Sequence, residues 1–242
     1  MSPWAALATP APWLASYDGE RGRLLAAHRA GMSVADTLNA AVDGHPVELA
    51  AGPLRFVAAQ ALPAGEAYEA FIARTASVPT RDNLHDLFNG LVWLRFGQVK
   101  RRLNELQAAE IVRCGVGPRR GVLRDALTLF DENGAWLKAP IELMDALRRR
   151  DWQALFITHR AAWRDAELTL FGHALMEKLT QPRKAITAHA WCMPAHEAAE
   201  RPVLEWLAQK PLALPVLGVP GWWRGNEEPG FYEDAAVFRP PR

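Results

Sequence analysis

His85 with Asn89, and His173 with Glu177, stand at i, i+4 in this sequence, a separation that puts both side chains of a pair on one face of a helix. Together with His189 they would supply two or three imidazoles and one or two carboxylates, a donor set suited to Zn²⁺, Mn²⁺ or Fe²⁺. An open coordination position on such a metal would activate water for hydrolysis. The expected ligands are therefore His85, His173, Glu177 and His189, although nothing matches the H-E-x-x-H spacing of a zinc hydrolase.

A metal-free chemistry is equally readable from the same residues. His85 would act as a general base oriented by Asp86 or Asp125, with Asn89 and Lys100 completing the catalytic group. Arg81, Lys100 and Arg124 would hold an anionic substrate, because a guanidinium offers a phosphate or carboxylate two hydrogen bonds at once. No Ser or Cys sits in a G-x-S-x-G turn, so covalent hydrolase chemistry has no support. The N-L-H-D run faintly resembles the His and Asn usage of small metal-dependent nucleases, but those motifs lie on a hairpin followed by a helix. The non-catalytic alternative is a binding or structural protein whose polar residues form a fully hydrogen-bonded core.

These residues must be positioned by a few elements. From Thr80 to Asn104, apolar Leu84, Leu87, Phe88, Leu91 and Val92 gather on one face at helical period. Beside them run Asp82, His85, Asp86, Asn89, Trp93, Lys100 and Asn104. The spacing predicts a buried central helix over Thr80–Phe96, capped by Thr80 or Asp82, with Gly90 and Gly97 able to break or kink it. Glu167–Thr180 reads as a second helix, with Leu168, Phe171, Leu175 and Leu179 on its apolar face and His173 and Glu177 projecting away from it. Ile186–Trp191 reads as a strand carrying His189. Asp131-Glu132-Asn133-Gly134 reads as a hairpin turn between two strands, with Asp131 either serving the turn or pointing into a site.

The runs VPTRDNLHDLFNGLVWLRF, RDALTLFDENGAWL, FGHALMEKL, TAH and LGVPGWW resemble the uncharacterised bacterial family DUF3025. The resemblance extends over most of the chain and its motifs are long. It implies no activity, but it concentrates His85, His173 and His189 inside family-like segments and leaves His28, His45, His159 and His196 outside them.

The chain has 242 residues, 50% of them hydrophobic and 23% charged, which is enough for one large domain or two small ones. A net charge of +1 argues against a basic nucleic-acid or membrane surface. Cys114 and Cys192 form no C-x-x-C pattern, so neither a zinc knuckle nor a disulfide framework is indicated. The first residues lack a secretory pattern and no apolar run reaches membrane-spanning length, so a cytoplasmic protein is expected.

The expected fold is a mostly helical α+β single domain over 1–242, with a minor sheet or hairpins. Residues 1–20, rich in proline, are expected as an extended arm. Residues 211–242 are expected as a loop-like strap pinned by bulky side chains, with Trp222 or Tyr232 bordering the pocket that holds His85. A glycine-rich loop, CGVGPRRG, spans Cys114 to Gly121 and matches no P-loop. The expected partner is a small anionic ligand, and the alternative for the tail is a packing strap or a homodimer contact.

Overall fold

Asn83, at extended φ/ψ, accepts a hydrogen bond from the Asp86 amide through its side chain and so starts the long central helix. The computed structural model describes residues 2–42, 46–115, 121–194, 203–228 and 230–239. Asp43-Gly44, a dipeptide suited to a turn, the body of the glycine-rich loop, His45, His196 and Pro229 lie outside the described residues. Among the described residues, helix accounts for 58% and strand for 15%, so the protein is mostly helical and α+β, as its periodicities imply. Tertiary contacts gather into two compact units, one of Met1–Pro10 with Ser16–Asp131 and one of Ala11–Ala15 with Glu132–Arg242.

The first unit opens with α1 (Pro3–Ala8), α2 (Asp18–Ala27) and α3 (Val34–Ala40). The expected extended arm is therefore helical, because Pro3 falls in the first turn of α1, where its fixed φ suits a helix and its missing N–H has no partner to lose. Ser33 caps α3 by accepting from the Asp36 amide. Next come β1 (Glu48–Leu49) and β2 (Gly52–Pro53), paired antiparallel, and then β3 (Arg55–Ala58), α4 (Tyr68–Thr75) and β4 (Ser77–Thr80). β3 and β4 pair in parallel across the crossover through α4.

Thr80 thus ends a strand and does not cap the central helix. Asp82 is also diverted from capping, since its carboxylate accepts from the Val34 amide at 2.7 Å.

The central helix, α5 (Leu84–Cys114), runs 31 residues with a kink at Phe96 (φ −121°, ψ 39°). Every residue from Asp86 to Trp93 is buried, so this stretch has no solvated face and its polar members must find partners inside. Leu87, Phe88, Leu91 and Val92 are fully buried, each contributing about 1.5–3 kcal/mol by removal from water. The two glycines serve close packing: a Cβ on Gly90 would lie 2.4 Å from Leu38 Cδ1, and one on Gly97 2.1 Å from Val47 Cγ2. The kink adjoins the second of these approaches. α6 (Val122–Asn133) follows α5.

The second unit is organised by β5 (Gly134–Ala139), which begins where α6 ends. The expected hairpin does not form: Asn133-Gly134 joins a helix to a strand, and β5 pairs with distant segments. After α7 (Ile141–Arg149) and a π-helical stretch at Ala154–Thr158 come β6 (Glu167–Leu170), α8 (His173–Leu179), β7 (Thr187–Pro194), α9 (Val203–Ala208) and β8 (Leu212–Pro215). The sheet order is β6-β5-β7-β8, with β5 and β7 parallel and the outer pairings antiparallel.

Two further expectations are corrected here. Glu167–Thr180 is a strand followed by a short helix, because Glu167 to Leu170 pairs with β5 and Gly172 marks the change. Residues 212–215 of the tail form a regular strand, since β7 offers Leu212 to Pro215 an edge to pair with. The remainder of the tail is pinned by aromatic contacts: Tyr232 and Phe156 stack at 5.1 Å, and Phe238 packs edge-on against both. Among the described residues, no helix is long and apolar enough to cross a membrane.

Candidate functional site

In the first unit, α5 and α6 converge on one buried ammonium. Lys100 Nζ donates to Asn89 Oδ1 at 2.8 Å and to Asp131 Oδ1 at 2.6 Å. It also lies 5.5 Å from the centre of the Trp93 ring, a distance at which the ring's negative face attracts a cation. Asn89, with its oxygen taken by Lys100, donates its amide nitrogen to the Tyr68 hydroxyl at 3.0 Å. Asn89 and Lys100 are eleven positions apart, three helical turns, so α5 keeps them on one face across its kink.

Exposure changes along this chain of contacts. The hydroxyl end of Tyr68 and the side chain of Asn89 are enclosed, Lys100 retains 6% of its side-chain exposure and Asp131 retains 20%. The network therefore leads outward to a carboxylate. Burial, followed by the charges of Asp86 and Asp131, pushes the Tyr68 phenol far above its ordinary range, with the Asn89 hydrogen bond opposing. Tyr68 consequently stays protonated and remains a donor at any physiological pH.

The other candidates of this unit have separate attachments. Arg81 and Asp86 form a forked pair, Nη2 to Oδ1 at 2.9 Å and Nε to Oδ2 at 3.1 Å, and the Arg81 amide adds a third contact at 2.6 Å. Asp86 is thus occupied in holding Arg81, whose side chain is 62% exposed. Asp125 is exposed on α6, and His85 is half-buried on α5. Arg124, expected as a substrate contact, is buried with Glu69 3.9 Å away, and its Nε lacks a hydrogen-bond partner among the described residues. One turn beyond Asn104, whose amide donates to the Glu69 carbonyl, Gln107 also has a buried oxygen with no hydrogen-bond partner among the described residues.

The second unit gathers its polar side chains where β5 begins. The register that sets Gly134 opposite His189 brings the end of α6 to the His189 ring, and Asn133 Nδ2 lies 2.8 Å from His189 Nδ1. The same amide donates to the Thr187 carbonyl, and Lys178 reaches Asn133 Oδ1 at 3.4 Å. Burial, then the Lys178 charge, holds the His189 imidazole below its ordinary range.

Gly172 permits the next contact, since a Cβ there would lie 2.6 Å from the Asn133 backbone. With the chain drawn in so closely, His173 Nε2 comes 3.6 Å from Glu132 Oε2. His173 reads from the sequence as projecting away from the apolar stripe of its helix, yet it is buried, because the close approach at Gly172 sets the start of α8 against the end of α6. Glu177, four positions on, is half-buried.

The sequence-based ligand set is divided between the units, His85 in the first and His173, Glu177 and His189 in the second. Of the expected tail contacts, Trp222 lies 6.2 Å from Trp13, ring to ring, while the Tyr232 hydroxyl donates to the Gly218 carbonyl at 2.8 Å and receives Arg160 at 3.1 Å. Cys114 and Cys192 are both free, and burial pushes the Cys192 thiol up to about 11, too high for a thiolate nucleophile at neutral pH.

Tyr68, Glu132 and Asn133 are site residues that the sequence does not single out, Glu132 and Asn133 reading there only as turn residues. The i, i+3 spacing of Leu127 and Phe130 was an available signal, since it fits a helix running into Asp131.

The fold and contacts define an α+β protein with a buried lysine–carboxylate network in one unit and a histidine–carboxylate pair in the other. The family model described as "Protein of unknown function (DUF3025)" matches residues 54–242, and the chain belongs to that family. No curated protein and no solved structure matches it.

Proposed function

We propose that the protein is an enzyme that hydrolyses a small phosphate- or carboxylate-bearing substrate, with Asp131 as its general base. The observation that carries this reading is the Lys100–Asp131 contact at 2.6 Å, where a buried ammonium holds a partly exposed carboxylate. Burying such an ion costs several kcal/mol, and well-packed apolar residues commonly replace buried pairs without loss of stability. Stability is therefore a poor explanation for the pair, whereas a fixed, ionised base is a good one. In this reading Asp131 takes a proton from water, and Lys100, Asn89 and Tyr68 position it. Arg81, exposed and oriented by Asp86, is the cation offered to the substrate. The two free cysteines are in keeping with a cytoplasmic setting.

The test is hydrolysis of a panel of phosphate monoesters and carboxylate-bearing esters by the parent and by Asp131→Asn. Asparagine keeps the shape and still accepts from Lys100. Turnover is expected to fall by about 10²–10⁴ in a variant that still melts cooperatively, at a temperature lowered by loss of the counter-charge to Lys100. Equal turnover by both proteins, or none by the parent on any substrate, would overturn the proposal in favour of a structural polar core.

A metal-dependent version has its own support, the approach of His173 Nε2 to the Glu132 carboxylate at 3.6 Å. Imidazole and carboxylate are donors suited to Zn²⁺, Mn²⁺ or Fe²⁺. Elemental analysis of protein purified without chelator is expected to show metal that His173→Gln loses. Metal-free parent protein that hydrolyses substrate would leave only the first version.

A further inference from the structure

The second unit contains an open cleft of about 750 Å³, within the range of small-molecule sites and built from residues that the proposed chemistry does not use. One wall is the end of α7 and the helical stretch after it, and the other is formed by the turns of the tail. The walls carry opposite charges. Arg149 and Arg150 stand on the first, outnumbering Asp151, whose carboxylate accepts from the Ala154 amide, and Glu228 and Glu233 stand on the second; the two arginines and the two glutamates are exposed.

None of these four side chains makes a hydrogen bond or ion pair with a described residue. Arg160 and Glu227 do pair across the same cleft, and Asn226 and Tyr232 also hold Arg160. The tail is thereby fastened while the remaining charges stay apart. Between them lies an apolar floor of Trp152, Tyr232 and Phe238, which Trp152 Nε1 ties to the Arg239 carbonyl at 2.7 Å. Arg150 adopts φ +52° at the end of α7, a left-handed position that glycine or asparagine would occupy with less strain. An arginine is present there nonetheless.

We propose that this cleft binds a short zwitterionic peptide, with its α-carboxylate at Arg149 and Arg150, its α-ammonium at Glu228 and Glu233, and an apolar side chain over Trp152 and Phe238. Arginine forks match a carboxylate, and an ammonium suits the acidic wall. A simple anion would meet two uncompensated glutamates, and a simple amine two arginines. Only a dipolar molecule answers both walls, and the floor selects an apolar side chain. The site does not depend on catalysis at Lys100.

Calorimetric titration of the full chain with trileucine, its N-acetyl form and its C-terminal amide tests the assignment. Saturable binding of free trileucine is expected, weakened about tenfold or more by either block, as loss of a charge-assisted contact implies. The Arg149→Ala/Arg150→Ala variant should become indifferent to amidation while remaining sensitive to acetylation. Glu228→Gln/Glu233→Gln should show the reverse, and both variants should melt with the parent because the changed side chains are exposed. Three results would each overturn the proposal: no saturable binding of trileucine, equal affinity for the blocked forms, or inorganic phosphate binding as tightly as the peptide.

Discussion

The first unit encloses Asp86, Asn89, Lys100, Asn104, Gln107 and Arg124 along α5 and α6, whereas the second encloses chiefly His173 and Asn226 among larger aromatic side chains. In the first, interior order comes from directed contacts such as Lys100 with Asp131 and Asn89, which fail once a partner is missing or misplaced. In the second it comes from ring area: Phe156 stacks with Trp152, Trp163 and Tyr232 at 5.1–6.2 Å between centres. Hydrogen-bonded networks fix geometry and tolerate little change. Apolar packing supplies more stabilisation and specifies position less sharply. The directed interior is thus the better place to hold a reacting group, and the aromatic one the better floor for a cleft.

The largest effect should come from the aromatic interior. Phe156→Ala removes the ring shared by three stacks and should cost about 3–5 kcal/mol, measured by denaturant unfolding. A cost under about 1 kcal/mol would show that the second unit does not rest on this cluster.

Lys100→Met should cost about 2–4 kcal/mol by leaving Asn89 and Asp131 without their donor, less than full burial would give because Asp131 is partly exposed. The double variant Lys100→Met/Asp131→Leu should recover much of this loss. If the losses of the single variants simply add, the directed character assigned to the first unit is wrong.

Gly97→Ala probes backbone approach in that same unit. The new methyl meets Val47, and overpacking of this kind costs about 1–3 kcal/mol, offset by up to about 1 kcal/mol of helix propensity. Melting of the variant at or above the parent temperature would mean that Val47 yields freely.

The smallest effect concerns pH. Burial, then the Lys178 charge, holds His189 below its ordinary pKa in the folded protein, so the unfolded chain binds the proton more readily. Its contribution to stability is present above the unfolded value of about 6.5 and is lost as pH falls from there through the lower folded value. His189→Gln should flatten stability across that interval, and an unchanged pH profile would remove His189 as the cause.

Much of the local structure was legible in advance. The caps at Ser33 and the burial of Leu87, Phe88, Leu91 and Val92 follow from residue type and period, because a helix face is set by neighbours three and four positions away. Asn83 was equally available as a cap and was passed over for Thr80 and Asp82, since nothing local reveals that residues 77–80 pair with a strand more than twenty positions earlier. The same limit applied at Asn133-Gly134, where turn chemistry suggested a hairpin and strand partners from residues 167–170 and 189–194 imposed a helix-to-strand junction.

The sequence alone determined the helical character of the chain, its family, the burial of the central helix and the set of polar residues around it. Those properties depend on composition and short-range periodicity, which every stretch of chain carries within itself. Tertiary structure alone decided that Lys100 faces Asp131, that Asp86 holds Arg81, that Asn133 meets His189 and that Glu167–Leu170 is a strand. Each of these requires groups distant along the chain, or a competing partner, and a hydrogen bond forms only where the folded backbone delivers donor to acceptor within about 3 Å.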